Sequence, residues 1–268
     1  MKPIAAVLSA ALFLSVVVAT AFAAAPVPVI NCGQDVKGVG DLVADLDCSA
    51  VADDAVNLNG RLRLNGFTLT GNVGFDVVSC KTGPCRVTGP GTITGGSDGV
   101  RSEKGATVEA GAIITGNASD GVRTDAVAKI LESSVTGNGS NGVRSDSSAS
   151  ITRSTITGNT ANGVAAKATV NVNASVIDSN NGRGVDGEKT VKATNNSFIR
   201  NNGLDGLLGT QININNTTAT GNGTSPTCIL SPCADLAAPR KPSVRGSSTC
   251  ETSRNTVFGG TWLVCSND

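Results

Sequence analysis

The chain has 268 residues, including 33 glycines and 8 cysteines, with 21 basic and 21 acidic side chains and neither histidine nor tyrosine. Aromatic residues make up 3% of the chain, so a core built on aromatic rings is excluded and the interior must be aliphatic. The formal charge of zero predicts no nucleic-acid binding, which requires a basic surface, and the lack of histidine excludes histidine acid–base catalysis and imidazole metal ligation.

The N-terminus has the features of a secretory signal peptide. Lys2 precedes an apolar run from Ile4 to Ala19 that is too short to span a bilayer comfortably, and Ala21-Phe22-Ala23 resembles a cleavage site. The alternatives are cleavage after Ala25 and an uncleaved anchoring helix. We expect residues 1–23 to be removed, leaving a soluble product without a membrane span that is secreted or periplasmic.

All eight cysteines follow the expected cleavage site, and an even number in an exported chain indicates disulfides. Their clustering favours pairs between neighbours along the chain. The predicted pairs are Cys32–Cys48, Cys80–Cys85, Cys228–Cys233 and Cys250–Cys265. The alternative is a zinc site, but no two cysteines have the CxxC spacing and no histidine is present.

The middle of the chain repeats with a period of 21 residues. Apolar and polar residues alternate within each repeat, which predicts three short strands separated by Gly, Asn, Ser and Asp corners. The asparagines that recur at this period are Asn117, Asn138, Asn159, Asn180, Asn201 and Asn222. One of the recurring apolar columns contains Ile93, Ile114, Val135, Ile156, Ile177, Phe198 and Ala219.

Stacked repeats would pair every strand with its copies above and below, and the inward aliphatic columns would form one core. Eight or nine turns at ~4.8 Å each predict a rod on the order of 40 Å long. We expect the recurring asparagines to form a ladder in which each amide bonds the next, because no buried polar group is then unpaired. The predicted organisation is an N-terminal cap with irregular first turns over 24–85, regular turns over 86–224 and a C-terminal cap over 225–268.

Gly-Asn followed by Asp/Asn-Gly-Val at this spacing resembles the right-handed parallel β-helix proteins of the pectate-lyase-like superfamily. Asp45-Leu46-Asp47-Cys48 near the start and the closing segment Gly260–Asp268 are similar to the ends of exported bacterial members. The resemblance covers residues 31–268. It implies an all-β, right-handed parallel β-helix with disulfide-bonded ends, and it is a weak guide to activity because many members have no assigned function.

Outward positions after the Gly-Val pair carry an arginine and an acid two residues apart in three successive repeats. These six residues are Arg101, Glu103, Arg123, Asp125, Arg144 and Asp146. The grid is a candidate binding face for an acidic polysaccharide, because arginine pairs with carboxylates through two hydrogen bonds. The alternative is a self-neutralised, solvated set of ion pairs, each contributing ~0–1 kcal/mol.

Asp98 and Asp120 directly precede the Gly-Val pair in adjacent repeats. Two stacked carboxylates are able to ligate calcium or to act as an acid–base pair. They also suit the Asp-Gly turn that a bend requires. The sequence favours the turn.

The resemblance also provides a test for catalysis. Polygalacturonase-like members carry Gly-His-Gly and Arg-Ile-Lys elements, and this sequence lacks both. Calcium-dependent pectate lyases gather several acids beside an arginine, and only the pair Asp98 and Asp120 approaches that arrangement. We therefore expect a non-catalytic binding or cell-surface module for polysaccharide, with no catalytic residue, metal or cofactor. The alternative is a polysaccharide lyase or epimerase that uses Arg123 or Arg144 with calcium. Threonine pairs such as Thr155/Thr157 are typical of ice-binding solenoids, but they are interrupted too often for ice binding to be preferred.

Overall fold

The computed structural model describes residues 25–83, 85–225, 228 and 233–268. The predicted signal peptide, residues 1–23, lies outside this part of the chain. The described residues form 26 β-strands, and none of them belongs to a helix long and apolar enough to cross a bilayer.

Consecutive strands lie on three different faces, and each strand pairs in parallel with the strand one turn away. Face A holds the short strands β6 (Val78–Cys80), β9 (Val100–Ser102), β12 (Val122–Thr124), β15 (Val143–Ser145), β18 (Val164–Ala166), β23 (Leu236–Ala238) and β26 (Ser253–Asn255). Face B holds β1 (Val27–Val29), β7 (Cys85–Thr88), β10 (Ala106–Glu109), β13 (Ala128–Leu131), β16 (Ala149–Thr152), β19 (Val170–Asn173) and β24 (Ser243–Arg245).

Face C holds β3 (Leu46–Asp47), β5 (Thr68–Thr70), β8 (Gly91–Thr94), β11 (Ala112–Thr115), β14 (Ser134–Thr136), β17 (Thr155–Thr157), β20 (Val176–Asp178) and β25 (Thr249–Cys250). Four longer strands bend around corners. The strands β2 (Gln34–Leu42) and β4 (Val56–Arg63) cover faces A and B, whereas β21 (Val185–Arg200) and β22 (Leu207–Thr220) cover all three.

The predicted all-β parallel solenoid with turns of about 21 residues is confirmed, and it has about ten turns instead of eight or nine. Both ends supply the extra turns. In the N-terminal segment, β2 pairs with β4 over eight residues and β4 pairs with β7. In the C-terminal segment, β23, β24 and β25 each pair with β22.

The core is a continuous stack of aliphatic side chains, because the alternation in each strand points every second residue inward. On face A this column is Val78, Val100, Val122, Val143, Val164, Val185 and Leu207, each at most 1% exposed. Columns from faces B and C complete the interior. Their inward isoleucines include Ile114, Ile130, Ile151, Ile156 and Ile177, all 0% exposed.

An asparagine ladder lies at the corner between faces C and A. Its members are Asn117, Asn138, Asn159, Asn180, Asn202 and Asn222. Each Nδ2 donates to the Oδ1 of the next asparagine at 2.8–2.9 Å, and the backbone N–H of each member donates to the same oxygen. At the end of the ladder, Asn222 donates to Asp235 Oδ1 at 2.7 Å.

The sequence prediction that Asn201 belongs to this ladder is wrong by one residue, as is the prediction that Phe198 is inward. Asn202 and Ile199 take those positions, both 0% exposed. Phe198 is 39% exposed, and Asn201 is exposed and donates from Nδ2 to Asp178 Oδ1 at 3.2 Å.

An inserted residue at the preceding corner explains both errors. Between Thr194 and Ser197 the chain has two residues, where the turns before and after have one at this corner. These residues, Asn195 and Asn196, adopt left-handed conformations with φ of 58° and 59°. Asparagine tolerates that region better than most residues, so the chain absorbs the insertion and all later positions of the turn move by one.

The structure contains all four predicted disulfide pairs. Cys32–Cys48 lies near the N-terminal end, and Cys228–Cys233 and Cys250–Cys265 lie near the C-terminal end. Cys80–Cys85 joins the end of β6 to the start of β7. No described cysteine is free.

Candidate functional site

The three arginines of the predicted grid form one column on face A, which we call the arginine column. Arg101 pairs with Arg123 and Arg123 with Arg144 in the parallel register, so their backbones lie one turn apart, ~4.8 Å. Ser102 and Thr124, which follow the first two, point inward and are fully buried. The alternation of the strands therefore directs the arginine side chains outward.

Two of the three acids of the grid form ion pairs, and these pairs run across turns and not within a repeat. Arg101 Nη2 lies 3.1 Å from Asp125 Oδ1 in the next turn. Lys167 Nζ lies 3.0 Å from Asp146 Oδ1, and this contact lowers the pKa of Asp146. Glu103 is exposed beside Arg101.

Arg123 and Arg144 differ from Arg101 in their pairing. Among the residues that the structure describes, neither of these two arginines forms an ion pair. Arg144 is exposed and Arg123 is half-buried. Their guanidinium groups are therefore the cations of the arginine column that are available to an added anion.

A second column of charged groups runs beside the first, and we call it the aspartate column. Its members, Asp54, Asp76, Asp98 and Asp120, each stand two residues before an inward valine of face A. Asp98 is 4% exposed and Asp120 is 1% exposed. The column brings together the predicted pair Asp98 and Asp120 and extends it by two turns.

Each carboxylate of the aspartate column accepts a backbone N–H from the following turn. The N–H of Asp76 donates to Asp54 Oδ1 at 2.9 Å, that of Asp98 to Asp76 Oδ1 at 3.2 Å, and that of Asp120 to Asp98 Oδ1 at 2.9 Å. Asn141 then donates to Asp120 Oδ1 from both its backbone N–H and its Nδ2, each at 2.9 Å. The column is thus a set of turn-stabilising acceptors, as the Asp-Gly motif predicts.

The environment of two members of the aspartate column, Asp76 and Asp98, disfavours ionisation. Burial, together with the negative charges of Asp98 and Asp54, raises the pKa of Asp76 to about 6. Burial also raises the pKa of Asp98, partly offset by the hydrogen bond from the Asp120 backbone. Arg101 acts on Asp76 and Arg123 acts on Asp98 in the opposite sense.

Two shallow depressions flank the arginine column, because small residues take the outward position in the neighbouring turns. One depression lies at Ser79, next to Asn57 and Lys81. The other lies at Ala165, between Arg144 and Asp186.

Sequence reasoning missed Asp76 and did not connect Asp54 with Asp98 and Asp120. The Gly-Val motif that marks Asp98 and Asp120 is absent from the first turns, where Ala55 and Val77 replace the glycine. A signal was present nevertheless, since the four aspartates are spaced by 22 residues.

The described residues contain no group of three or more His, Cys, Asp or Glu side chains arranged to hold a metal ion. Comparison with protein-family models, with curated proteins and with solved structures finds no match for this chain.

Proposed function

We propose that this protein is a non-catalytic, exported module that binds acidic polysaccharide along the arginine column. The observation that carries the proposal is the stack of Arg123 and Arg144 in adjacent turns without an ion-pair partner among the described residues. Two guanidinium groups at this spacing offer paired donors to successive carboxylate or sulfate groups of an extended polymer. A polymer is the preferred ligand class because the arginine column extends over three turns at the surface, and the depressions that flank it are shallow.

Export and membership in the pectate-lyase-like superfamily belong to the same proposal. The apolar N-terminal run behind Lys2 supports export. Four disulfides support an oxidising compartment, because such bonds are rare in the reducing cytosol. Three-strand turns with an asparagine ladder support the superfamily.

Replacement of Arg123 by alanine tests the binding face. We expect the Arg123→Ala variant to bind polygalacturonate about tenfold or more weakly than the parent, because a charge-assisted contact is lost. The measurement is isothermal titration calorimetry at low ionic strength. Added salt should weaken the parent's binding, since exposed charges are screened beyond ~8–10 Å.

Lys129→Ala is the matched control for this test. Lys129 is an exposed cation in the same repeat, but it lies on face B in β13. The Lys129→Ala variant loses the same net charge as Arg123→Ala. It should change the affinity by less than about twofold, because Lys129 lies away from the arginine column. Equal affinities of the parent and the Arg123→Ala variant would overturn the proposed binding face.

A test for turnover distinguishes the proposed binding function from the rival function, a lyase or epimerase. A lyase product carries a new carbon–carbon double bond that absorbs ultraviolet light. We expect no sustained increase in absorbance when the protein is mixed with polygalacturonate and calcium. Sustained turnover that is lost in the Arg123→Ala or Arg144→Ala variant would replace the binding function with a catalytic one.

A further inference from the structure

The corner that holds the aspartate column carries acidic side chains in some turns and amide side chains in later turns, with the same hydrogen-bond geometry. Four turns place Asp54, Asp76, Asp98 and Asp120 at the corner before face A, and the next two turns place Asn141 and Asn162 there. Asn141 Oδ1 accepts the N–H of Asn162 at 3.2 Å, and Asn162 Oδ1 accepts the N–H of Arg183 at 2.8 Å. An amide oxygen therefore makes the same hydrogen bond at this corner as a carboxylate oxygen, and the bond does not require a charge.

The carboxylates of the aspartate column are crowded by one another. Adjacent members belong to adjacent turns, ~4.8 Å apart along the rod. Asp54, Asp98 and Asp120 are at most 8% exposed. For Asp76 and Asp98, like charges at this spacing together with burial favour uptake of a proton.

Few cations oppose this crowding. Lys81 Nζ lies 3.3 Å from Asp54 Oδ2 at the N-terminal end of the column. Arg101 acts on Asp76 and Arg123 acts on Asp98 through space, and Ser119 donates a hydrogen bond to Asp98. Asp76 and Asp98 are therefore the members next to the arginine column, and both have raised pKa values, that of Asp76 reaching about 6.

We propose that the aspartate column is a proton-controlled switch for the arginine column: protonation of Asp76 and Asp98 removes the negative charge beside Arg101 and Arg123 and strengthens binding of a polyanion. This inference rests on the proposed function. No backbone contact needs to change, because a protonated carboxyl keeps a carbonyl oxygen for the N–H of the next turn. The switch acts through charge alone.

Binding of dextran sulfate as a function of pH tests the switch. Its sulfate esters stay ionised across the range, so that any change in affinity belongs to the protein. We expect the parent to bind about tenfold more tightly at about pH 5 than at about pH 8, because Asp76 is then largely protonated and the raised pKa of Asp98 favours its protonation in the same direction. The affinities are measured by calorimetry at constant low ionic strength.

The double variant Asp76→Asn/Asp98→Asn isolates the two carboxylates. Asparagine already fills the same corner in later turns, so the variant keeps the acceptor oxygen for the following N–H. We expect it to bind dextran sulfate at about pH 8 as tightly as the parent binds at about pH 5, with most of the pH dependence lost. The matched control is Glu132→Gln/Asp178→Asn, which neutralises two acids that pair with Arg153 and Arg200 at other corners. The control should retain the pH dependence of the parent.

Each result is decisive for one of the two proposals. Binding that is equally tight at both pH values, or a pH dependence that survives in the Asp76→Asn/Asp98→Asn variant, overturns the switch and leaves the binding function standing. An absence of binding at both pH values overturns the binding function and the switch with it. Carboxyl carbon NMR gives a readout without ligand, in which we expect Asp76 to titrate near pH 6. Titration of Asp76 at the ordinary value would also overturn the switch.

Discussion

The asparagine ladder and the aspartate column lie three residues apart at the same corner of each turn, between faces C and A, and they satisfy backbone N–H groups with different chemistry. In the ladder, Asn117 Nδ2 and the Asn117 N–H both donate to Asn138 Oδ1 in the following turn. In the column, the N–H of the following turn donates to the preceding side chain, as Asp120 does to Asp98. An amide supplies donors and an acceptor, so the ladder is neutral and internally satisfied. An ionised carboxylate only accepts hydrogen bonds, so the aspartate column carries negative charge, which at Asp76 and Asp98 responds to pH.

The largest expected effect comes from placing a carboxylate in the ladder. Asn138 is 1% exposed, and its Nδ2 donates to Asn159 Oδ1 at 2.9 Å. The variant Asn138→Asp loses this donor and sets two oxygens against each other in a buried site. We expect a loss of about 3–5 kcal/mol in the free energy of unfolding, measured with chemical denaturant.

The same substitution in the other column is the control. Asn162 Oδ1 accepts the N–H of Arg183, and an aspartate there keeps that acceptor. Asn162→Asp should change stability by less than about 1 kcal/mol. If Asn138→Asp and Asn162→Asp lose equal stability, the distinction between the ladder position and the position three residues later is wrong.

A smaller loss is expected when the space beside the ladder is filled. A Cβ on Gly142 would lie 2.6 Å from Ile156 Cγ2, 2.7 Å from Asn159 Nδ2 and 2.7 Å from Gly163 O. The Gly163 backbone and the asparagine ladder leave no room for this methyl group. Gly142→Ala should therefore lose about 2–3 kcal/mol in the free energy of unfolding. The neutral ladder is thus tightly packed.

Gly74→Ala is the matched control for Gly142→Ala. A Cβ on Gly74 meets nothing nearer than Asn72 Oδ1 at 3.6 Å. We expect its stability in the same denaturant experiment to stay within about 0.5–1 kcal/mol of the parent. Equal losses for both alanine variants would show that packing against the ladder is not what requires glycine at position 142.

The end of the ladder supports this interpretation of its packing. Asp235 occupies the position that glycine holds in earlier turns, as Gly206 does one turn before. The side chain fits because it takes the place of a further asparagine and accepts from Asn222 Nδ2 at 2.7 Å. Burial raises the pKa of Asp235.

The sequence was sufficient for features that depend on period and insufficient for those that depend on side-chain geometry. The 21-residue spacing predicts the solenoid, the register of Arg101 with Arg123, and the ladder as far as Asn180. It fails at Asn202, because the extra residue at Asn195 and Asn196 changes the length of one corner without changing the strands. The repeat period also does not predict which residues form ion pairs.

Ion pairing is not encoded by spacing within a repeat. Each arginine has an acid two residues later in the sequence, yet Arg101 reaches Asp125 in the next turn. Arg123 also has an acid two residues later and another in the next turn, and it forms no ion pair among the described residues. Which cation is left available depends on side-chain conformers and on contacts between turns, and neither is visible in a linear pattern.

The smallest expected change in stability comes from Asp76→Asn, which removes a charge from the aspartate column and keeps the hydrogen-bond acceptor. Asp76 has a pKa of about 6 in the folded protein, above the value of 3.8 for an unperturbed carboxyl. Its contribution to stability is therefore fully present below about pH 4 and is lost as the pH rises through about 6. Asp76→Asn removes this titration and keeps an oxygen that accepts the N–H of Asp98, while its Nδ2 is placed to donate to Asp54 as Asn141 does to Asp120. We expect the variant to be about 1–2 kcal/mol more stable than the parent at pH 7, after allowance for solvent screening of a half-buried group, and to match it near pH 4.

Denaturant unfolding across this pH range provides the measurement. Asp178→Asn is the control, because the pKa of Asp178 is lowered and its replacement should not stabilise the protein at pH 7. A parent and an Asp76→Asn variant whose stabilities run parallel with pH would show that Asp76 has the same pKa in the folded and unfolded protein, and that burial and the neighbouring carboxylates do not oppose its ionisation.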